Sequence, residues 1–262
     1  MRNAMAPQNI LQLGNGFWNI RAALKIGGVL PVGTHASLVQ RKSGRFVLLD
    51  TCGMSEATRA HIGELTDGGQ AIEAILNLHP FHTLFVPRVH ALYPHAKLYG
   101  TARHRTRAPE LPWRPELTDQ PELHALFADD LDFSVPRGVE LIPTNEKLHF
   151  SSVLAFHSAS RTLHVDDTLN YVRLPAVLRW FKEDALGFHP ALSRVLERRA
   201  HAANDFRGWV RGLVERLQTI DNVCAAHTHV LRGGQGAPPA ERVERAMRKV
   251  EAKLAAHERR YG

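Results

Sequence analysis

Four histidines and three aspartates fall at the ends of short apolar runs scattered through a chain of 262 residues. Asp50 closes the run Phe46-Val47-Leu48-Leu49, and His79 and His82 follow Ala74-Ile75-Leu76-Asn77-Leu78. His149 precedes Ser151-Ser152-Val153-Leu154, and Asp166 and Asp167 follow Thr162-Leu163-His164-Val165. His227 follows Asn222-Val223-Cys224-Ala225-Ala226. A strand end is where a fold can hold polar side chains rigidly around one point. Imidazole with carboxylate is a ligand set for zinc, iron or manganese. Each residue also has a plainer reading. The chain has 16 histidines, most of which must do something other than bind metal, and Asp50 could simply cap a turn.

The elements that would carry these residues are legible in part. Residues 28–50 read as a β-hairpin region, with Gly27-Gly28, Gly33 and Gly44 as turns and strands at Ala36-Ser37-Leu38-Val39 and Phe46-Val47-Leu48-Leu49. Residues 55–64 read as a short helix closed by Asp67-Gly68-Gly69, and 72–78 as a strand leading into His79. Ala96-Lys97-Leu98-Tyr99 reads as another strand. Residues 101–132 are rich in Pro, Arg and Glu and read as an irregular surface connection. Strands are expected at Val139-Glu140-Leu141-Ile142, 152–156 and 161–165, with Ser158-Ala159-Ser160 turning between the last two. The later third is helical: Phe206, Trp209, Val210, Leu213, Val214 and Leu217 keep helical spacing behind an expected N-cap at Asp205. Val243, Met247, Val250 and Leu254 form a second apolar stripe.

Composition sets the class. A hydrophobic content of 44% with 23% charged residues suits one globular domain spanning 1–262. Two cysteines, Cys52 and Cys224, make no disulfide framework, no run approaches the ~20 apolar residues of a membrane span, and a cytoplasmic protein is expected. The formal charge of +7 admits an acidic partner such as nucleic acid, but bases and acids interleave, so solvated helix faces are the preferred reading.

In order along the chain, the singled-out residues resemble the metallo-β-lactamase superfamily from about Gly33 to Leu231. The segment from Phe46 through Asp50-Thr51-Cys52-Gly53 looks like its first motif, and Asn77-Leu78-His79-Pro80-Phe81-His82 occupies the place of its second. Leu92-Tyr93-Pro94-His95-Ala96-Lys97-Leu98-Tyr99 looks like the following segment, His149 like the third-motif histidine, Val165-Asp166-Asp167-Thr168 like the fourth motif and Ala226-His227 like the last. The second motif departs from the usual His-x-His-x-Asp-His: Phe81, Thr83 and Leu84 replace a histidine, the aspartate and the last histidine. The pattern resembles a divergent branch with an abbreviated His-x-x-His motif.

The resemblance implies an α/β fold, a four-layer αββα sandwich with a helical C-terminal region. It implies a ligand set of His79, His82, His149, Asp167 and His227, with His227 preferred to His229, around one ion of zinc, or iron or manganese. Such an ion needs about three protein ligands and an open position, and would bring a bound water toward a pKa of ~7. Asp167 would bind it or orient that water, Asp166 is the weaker candidate, and Asp50 would act from behind the ligands. Cys52 reads as a packing residue, His157 and His164 as packing or surface residues, and His90, His95 and His104 as solvated surface rather than the lining of a pocket entrance. Three functions stay open: a metal-dependent hydrolase of an ester, lactone, thioester or phosphoester; a non-catalytic binding protein with a degenerate metal site; and a nucleic-acid-processing relative. A small-molecule substrate is expected.

Overall fold

The computed structural model describes residues 7–26, 30–31, 33–173, 184–226 and 229–262. The Gly27-Gly28 turn and His227 lie outside them. The chain divides into two compact units, Met1–Leu78 with His82–Asp130, and His79–Phe81 with Leu131–Gly262.

The first unit holds strands β1 (Ile10–Gln12), β2 (Phe17–Ala22), β3 (Lys25–Ile26), β4 (Leu30–Pro31), β5 (Thr34–Gln40) and β6 (Phe46–Leu49). These are followed by α1 (Glu56–Leu65), β7 (Ile72–Leu76), α2 (Val86–Leu92), β8 (Lys97–Gly100), α3 (Ala102–Arg107), β9 (Trp113–Leu117) and α4 (Pro121–Phe127). Seven strands pair in the order β1-β2-β5-β6-β7-β8-β9. The pairs from β1 to β6 are antiparallel, whereas α1, α2 and α3 carry the chain between parallel neighbours from β6 to β9. Strand β6 is buried along its whole length, as its unbroken apolar run requires. Ile20, Leu38, Leu48 and Ile75 share a core with Ile62 of α1 and Val86 and Val89 of α2. Helix α1 starts where the sequence puts it: the Ser55 hydroxyl accepts the Thr58 N–H at 3.1 Å. It stops at Asp67, Gly68 and Gly69, all at positive φ.

Residues 101–132 do not form the expected irregular connection. The Thr101 hydroxyl and the His104 ring form a reciprocal cap that opens α3, β9 adds an edge to the sheet, and Pro121 stands in the first turn of α4, where its missing N–H costs nothing.

The second unit holds β10 (Asp132–Ser134), β11 (Leu154–His157), β12 (Thr162–His164), β13 (Leu169–Val172), β14 (Ala185–Phe188), α5 (Leu192–Val195), α6 (Ala202–Leu217), β15 (Asn222–Cys224), β16 (Val230–Leu231) and α7 (Pro239–Tyr261). Its five-stranded sheet runs β10-β11-β12-β15-β16, antiparallel except for β12 with β15, and β13 and β14 pair antiparallel in a separate two-stranded sheet. Phe150, Leu154, Leu163 and Val223 pack with Phe206 and Leu213 of α6 and with Val243 and Leu254 of α7. Both apolar stripes read in the sequence face this core.

Two expectations fail here. Val139-Glu140-Leu141-Ile142 is no strand; Val139 makes only an isolated bridge to Leu196. Helix α6 begins earlier than Asp205, after His201, because Ala202 and Ala203 extend it backward. Asp205 instead sits in the first turn and pairs with Arg199, where a carboxylate suits the helix dipole.

Candidate metal centre

In the first unit, Asp50 is tied to the strand end that leads into His79 by a short series of backbone contacts. Asp50 ends β6 at a positive φ of 55°, and its Oδ1 accepts the Leu78 N–H at 2.7 Å. Asn77 donates both its backbone N–H and its side-chain amide to the Tyr99 carbonyl. The strand end immediately before His79 is thereby held from two sides.

In the second unit, His79 is fully buried, and its Nε2 stands 3.2 Å from Asp167 Oδ2, itself almost without exposure. The Phe81 N–H donates to His79 Nδ1 at 3.1 Å. Nδ1 therefore carries the lone pair, and a neutral ring keeps its proton on Nε2, toward Asp167. His149 adjoins this pair, its ring centroid 6.2 Å from that of His79. Its Nε2–H donates to the Glu146 carbonyl at 3.0 Å, which leaves Nδ1 as the lone-pair nitrogen. Ligating histidines are oriented in this way, one ring nitrogen tied to a backbone carbonyl and the other presented to the ion. Phe81, standing where the resemblance puts a histidine, stacks on His149 at 4.6 Å.

The loops carrying His149 and Asp167 are clamped together by hydroxyls. Thr168 Oγ1 accepts the Ser152 N–H at 2.9 Å and donates to the Phe150 carbonyl at 3.1 Å. Ser152 Oγ accepts the Asp166 N–H at 3.3 Å. Sequence reading missed this clamp.

It also missed His164. Burial is complete there, and a ring nitrogen lies within 4.8 Å of an Asp166 carboxylate oxygen. The signal was present: His164 and Asp166 are two residues apart at a strand end, the spacing that returns a side chain to the same face. Asp166 is thus a ligand-type residue as well as Asp167.

In the first unit, His35 is buried and its Nδ1 accepts from the Asn19 amide at 3.0 Å. His82, the remaining histidine of the abbreviated motif, is half-buried there. His90 and His104 are buried rather than solvated, His104 because it closes the α3 cap, and burial lowers the pKa of His90. His95 is exposed as expected.

The donor types fit a first-row metal ion. His79 and Asp167 already bring ligand atoms together, whereas His149 stands beside them, stacked on Phe81, and its Nδ1 would have to be turned to the ion. His79 would exchange the Nε2 proton for the ion and release the Phe81 N–H, since the nitrogen opposite a ligating one must then hold the proton.

No family model matches the sequence, and no curated protein matches it. Solved structures do. The metallo-β-lactamase DIM-1 superposes with a TM-score of 0.58 at 10% identity, covering 94% of this chain and 100% of that one. A metallo-β-lactamase from Erythrobacter litoralis gives 0.59 at 14% identity over 92% of this chain and 96% of its own. The mono-zinc form of FIM-1 from Pseudomonas aeruginosa gives 0.56 at 12% identity, over 92% and 95%. The chain has the metallo-β-lactamase fold, mixed α/β with two main sheets and C-terminal helices. No helix among the described residues is long and apolar enough to cross a membrane.

Proposed function

We propose that this protein is a metal-dependent hydrolase acting on a small molecule with an ester, lactone, thioester or phosphoester bond. The observation that carries the reading is the buried His79–Asp167 pair at 3.2 Å with His149 beside it. A buried carboxylate facing a buried imidazole is costly unless a proton or a cation lies between them. In this reading His79, His149 and Asp167 hold one ion, with His82 and His227 completing the set from the sequence pattern. Zinc is the first choice, since FIM-1 has a mono-zinc form, and iron or manganese suit the same donors. Asp166 with His164 is the donor pair for a second ion. When bound, the ion supplies Lewis acidity and an ionised water near neutral pH.

The chain's own residues do the rest. Asp167, next in the chain to the Thr168 clamp, would use the carboxylate oxygen not on the ion to accept a hydrogen bond from the attacking water and orient it. The Glu146 carbonyl keeps His149 in one tautomer. Asp50 fixes the approach to His79. A reducing, cytoplasmic setting is part of the proposal, in keeping with the free thiols of Cys52 and Cys224.

A panel of the four ester classes tests the reading. Hydrolysis should stop on chelation, return with zinc, iron or manganese, and fall on the order of 10² or more in Asp167→Asn. Turnover that survives chelation contradicts it. The non-catalytic reading is favoured by Phe81, whose N–H and ring engage both His79 and His149; tight metal binding with no turnover on any class would support it.

A further inference from the structure

A second candidate site lies within the second unit, lined by none of the residues assigned as metal ligands although its wall runs up to His149. It is a cleft of about 1070 Å³ walled by residues 140–148, by α5 with the residues after it, and by the last turns of α7. Arg194 and Arg198 line one wall and Lys253 and Arg260 another, against a single lining carboxylate, Glu140. None of these four cations has an ion-pair partner among the described residues. Among the described residues some arginines nearby are paired and others, such as Arg248 and Arg259, are not; what sets these four apart is that they line one cleft. Arg199, next in the chain to Arg198, holds Glu197 and Asp205, and Arg207 holds Glu251 and Glu258. His257 also lines the cleft, and its Nε2 is buried with no hydrogen-bond partner among the described residues.

A plain account explains only part of this. Arg260 stands in the last turn of α7, where the helix dipole favours a cation. That does not bring Arg194 and Arg198, from a different element, to the same cleft. Like charges gathered on one cleft repel, and an anion in the cleft offsets that repulsion; the buried His257 Nε2 would reach it only after a rotation of the ring.

We propose that this cleft binds a small anion carrying two or more phosphate groups. One phosphate would leave most of the volume and most of the cations unused, while a molecule of small-ligand size matches a cleft of this class. Arginine forks are suited to paired phosphate oxygens. A nucleic acid strand is the poorer match. Strand binding uses aromatic faces as stacking platforms, and the Tyr261 ring is already engaged, by His257 at 4.7 Å and by the Arg260 guanidinium at 5.1 Å. The proposal does not rest on the hydrolase reading, because no metal ligand of that reading lines the cleft.

Tripolyphosphate titrated calorimetrically into the full chain at ~0.15 M ionic strength tests it. One saturable site is expected, with inorganic phosphate binding more weakly. Arg198→Gln and Arg260→Gln should each weaken binding about tenfold, and His257→Ala should weaken it as well. Arg198 and Arg260 are exposed, so both variants keep the fold, which circular dichroism verifies. Arg88→Gln removes an exposed charge from the first unit and should leave binding unchanged. Absence of saturable binding overturns the proposal. So does equal weakening by Arg88→Gln, which would reduce the effect to net charge, and so does an RNA oligonucleotide that binds without competition from tripolyphosphate.

Discussion

Protonation decides what His79 and His149 can do. Both rings have one nitrogen committed to the backbone, but in opposite senses: His79 Nδ1 accepts from Phe81, whereas His149 Nε2 donates to Glu146. In the proposed reading His149 keeps Nδ1 as its lone-pair nitrogen for a metal, and His79 would give up its Nε2 proton to bind one. These residues were legible in the sequence because each ends or borders an apolar run. The hydroxyls that hold them were not, because Thr168 meets Ser152 from 16 residues away and nothing local announces it. Thr168→Val tests their part. It leaves the Ser152 N–H buried without its acceptor, so a loss of about 1–3 kcal/mol is expected in urea denaturation. Metal affinity should fall together with it, by about 10–100-fold, since loosening the partners of a ligand costs that much. An unchanged affinity in a destabilised protein would confine Thr168 to folding.

Among the elements, apolar periodicity identified the central strands and the two long helices, because burial sets their pattern. It failed for α3, β9 and α4, whose lengths are short and whose residues are largely exposed. In that stretch caps and an N-terminal proline, rather than a stripe, specify structure. It failed at Val139-Glu140-Leu141-Ile142 for the converse reason: the apolar alternation is there, but Gly138 turns the chain away. Gly138 has a φ of 73°, and a Cβ on it would stand 1.9 Å from the Ala202 carbonyl oxygen at the start of α6. Gly138→Ala should therefore destabilise by at least ~3 kcal/mol in denaturant titration. A loss below ~1 kcal/mol would mean that α6 can retreat from the contact.

For the molecule as a whole, the excess of basic residues makes acid stability depend on a few well-held carboxylates. Asp130 is one. Burial alone would raise its carboxyl, but the Lys42 N–H and the Arg41 guanidinium together bring it below the ordinary value. Arg41 also reaches Glu73 and lies over the Phe127 ring at 5.1 Å. A depressed carboxyl stabilises the fold fully above the unfolded value of about 3.9, and that contribution is lost as pH falls through the folded value. Asp130→Asn should accordingly be less stable than the parent at neutral pH, with the gap closing as pH falls below the ordinary carboxyl value and through the depressed one. A gap independent of pH would assign the effect to packing. The overall fold was legible through its order of motifs, even though Phe81, Thr83 and Leu84 break the second one; an abbreviated motif still places His79 at the end of its strand.

Metal content of the purified full-length protein, determined by elemental mass spectrometry beside His149→Ala, tests the central claim most directly. The account predicts at least one equivalent of zinc, iron or manganese in the parent and a clear loss in the folded variant. A folded parent that takes up no metal after supplementation, or a variant that holds as much as the parent, would contradict it.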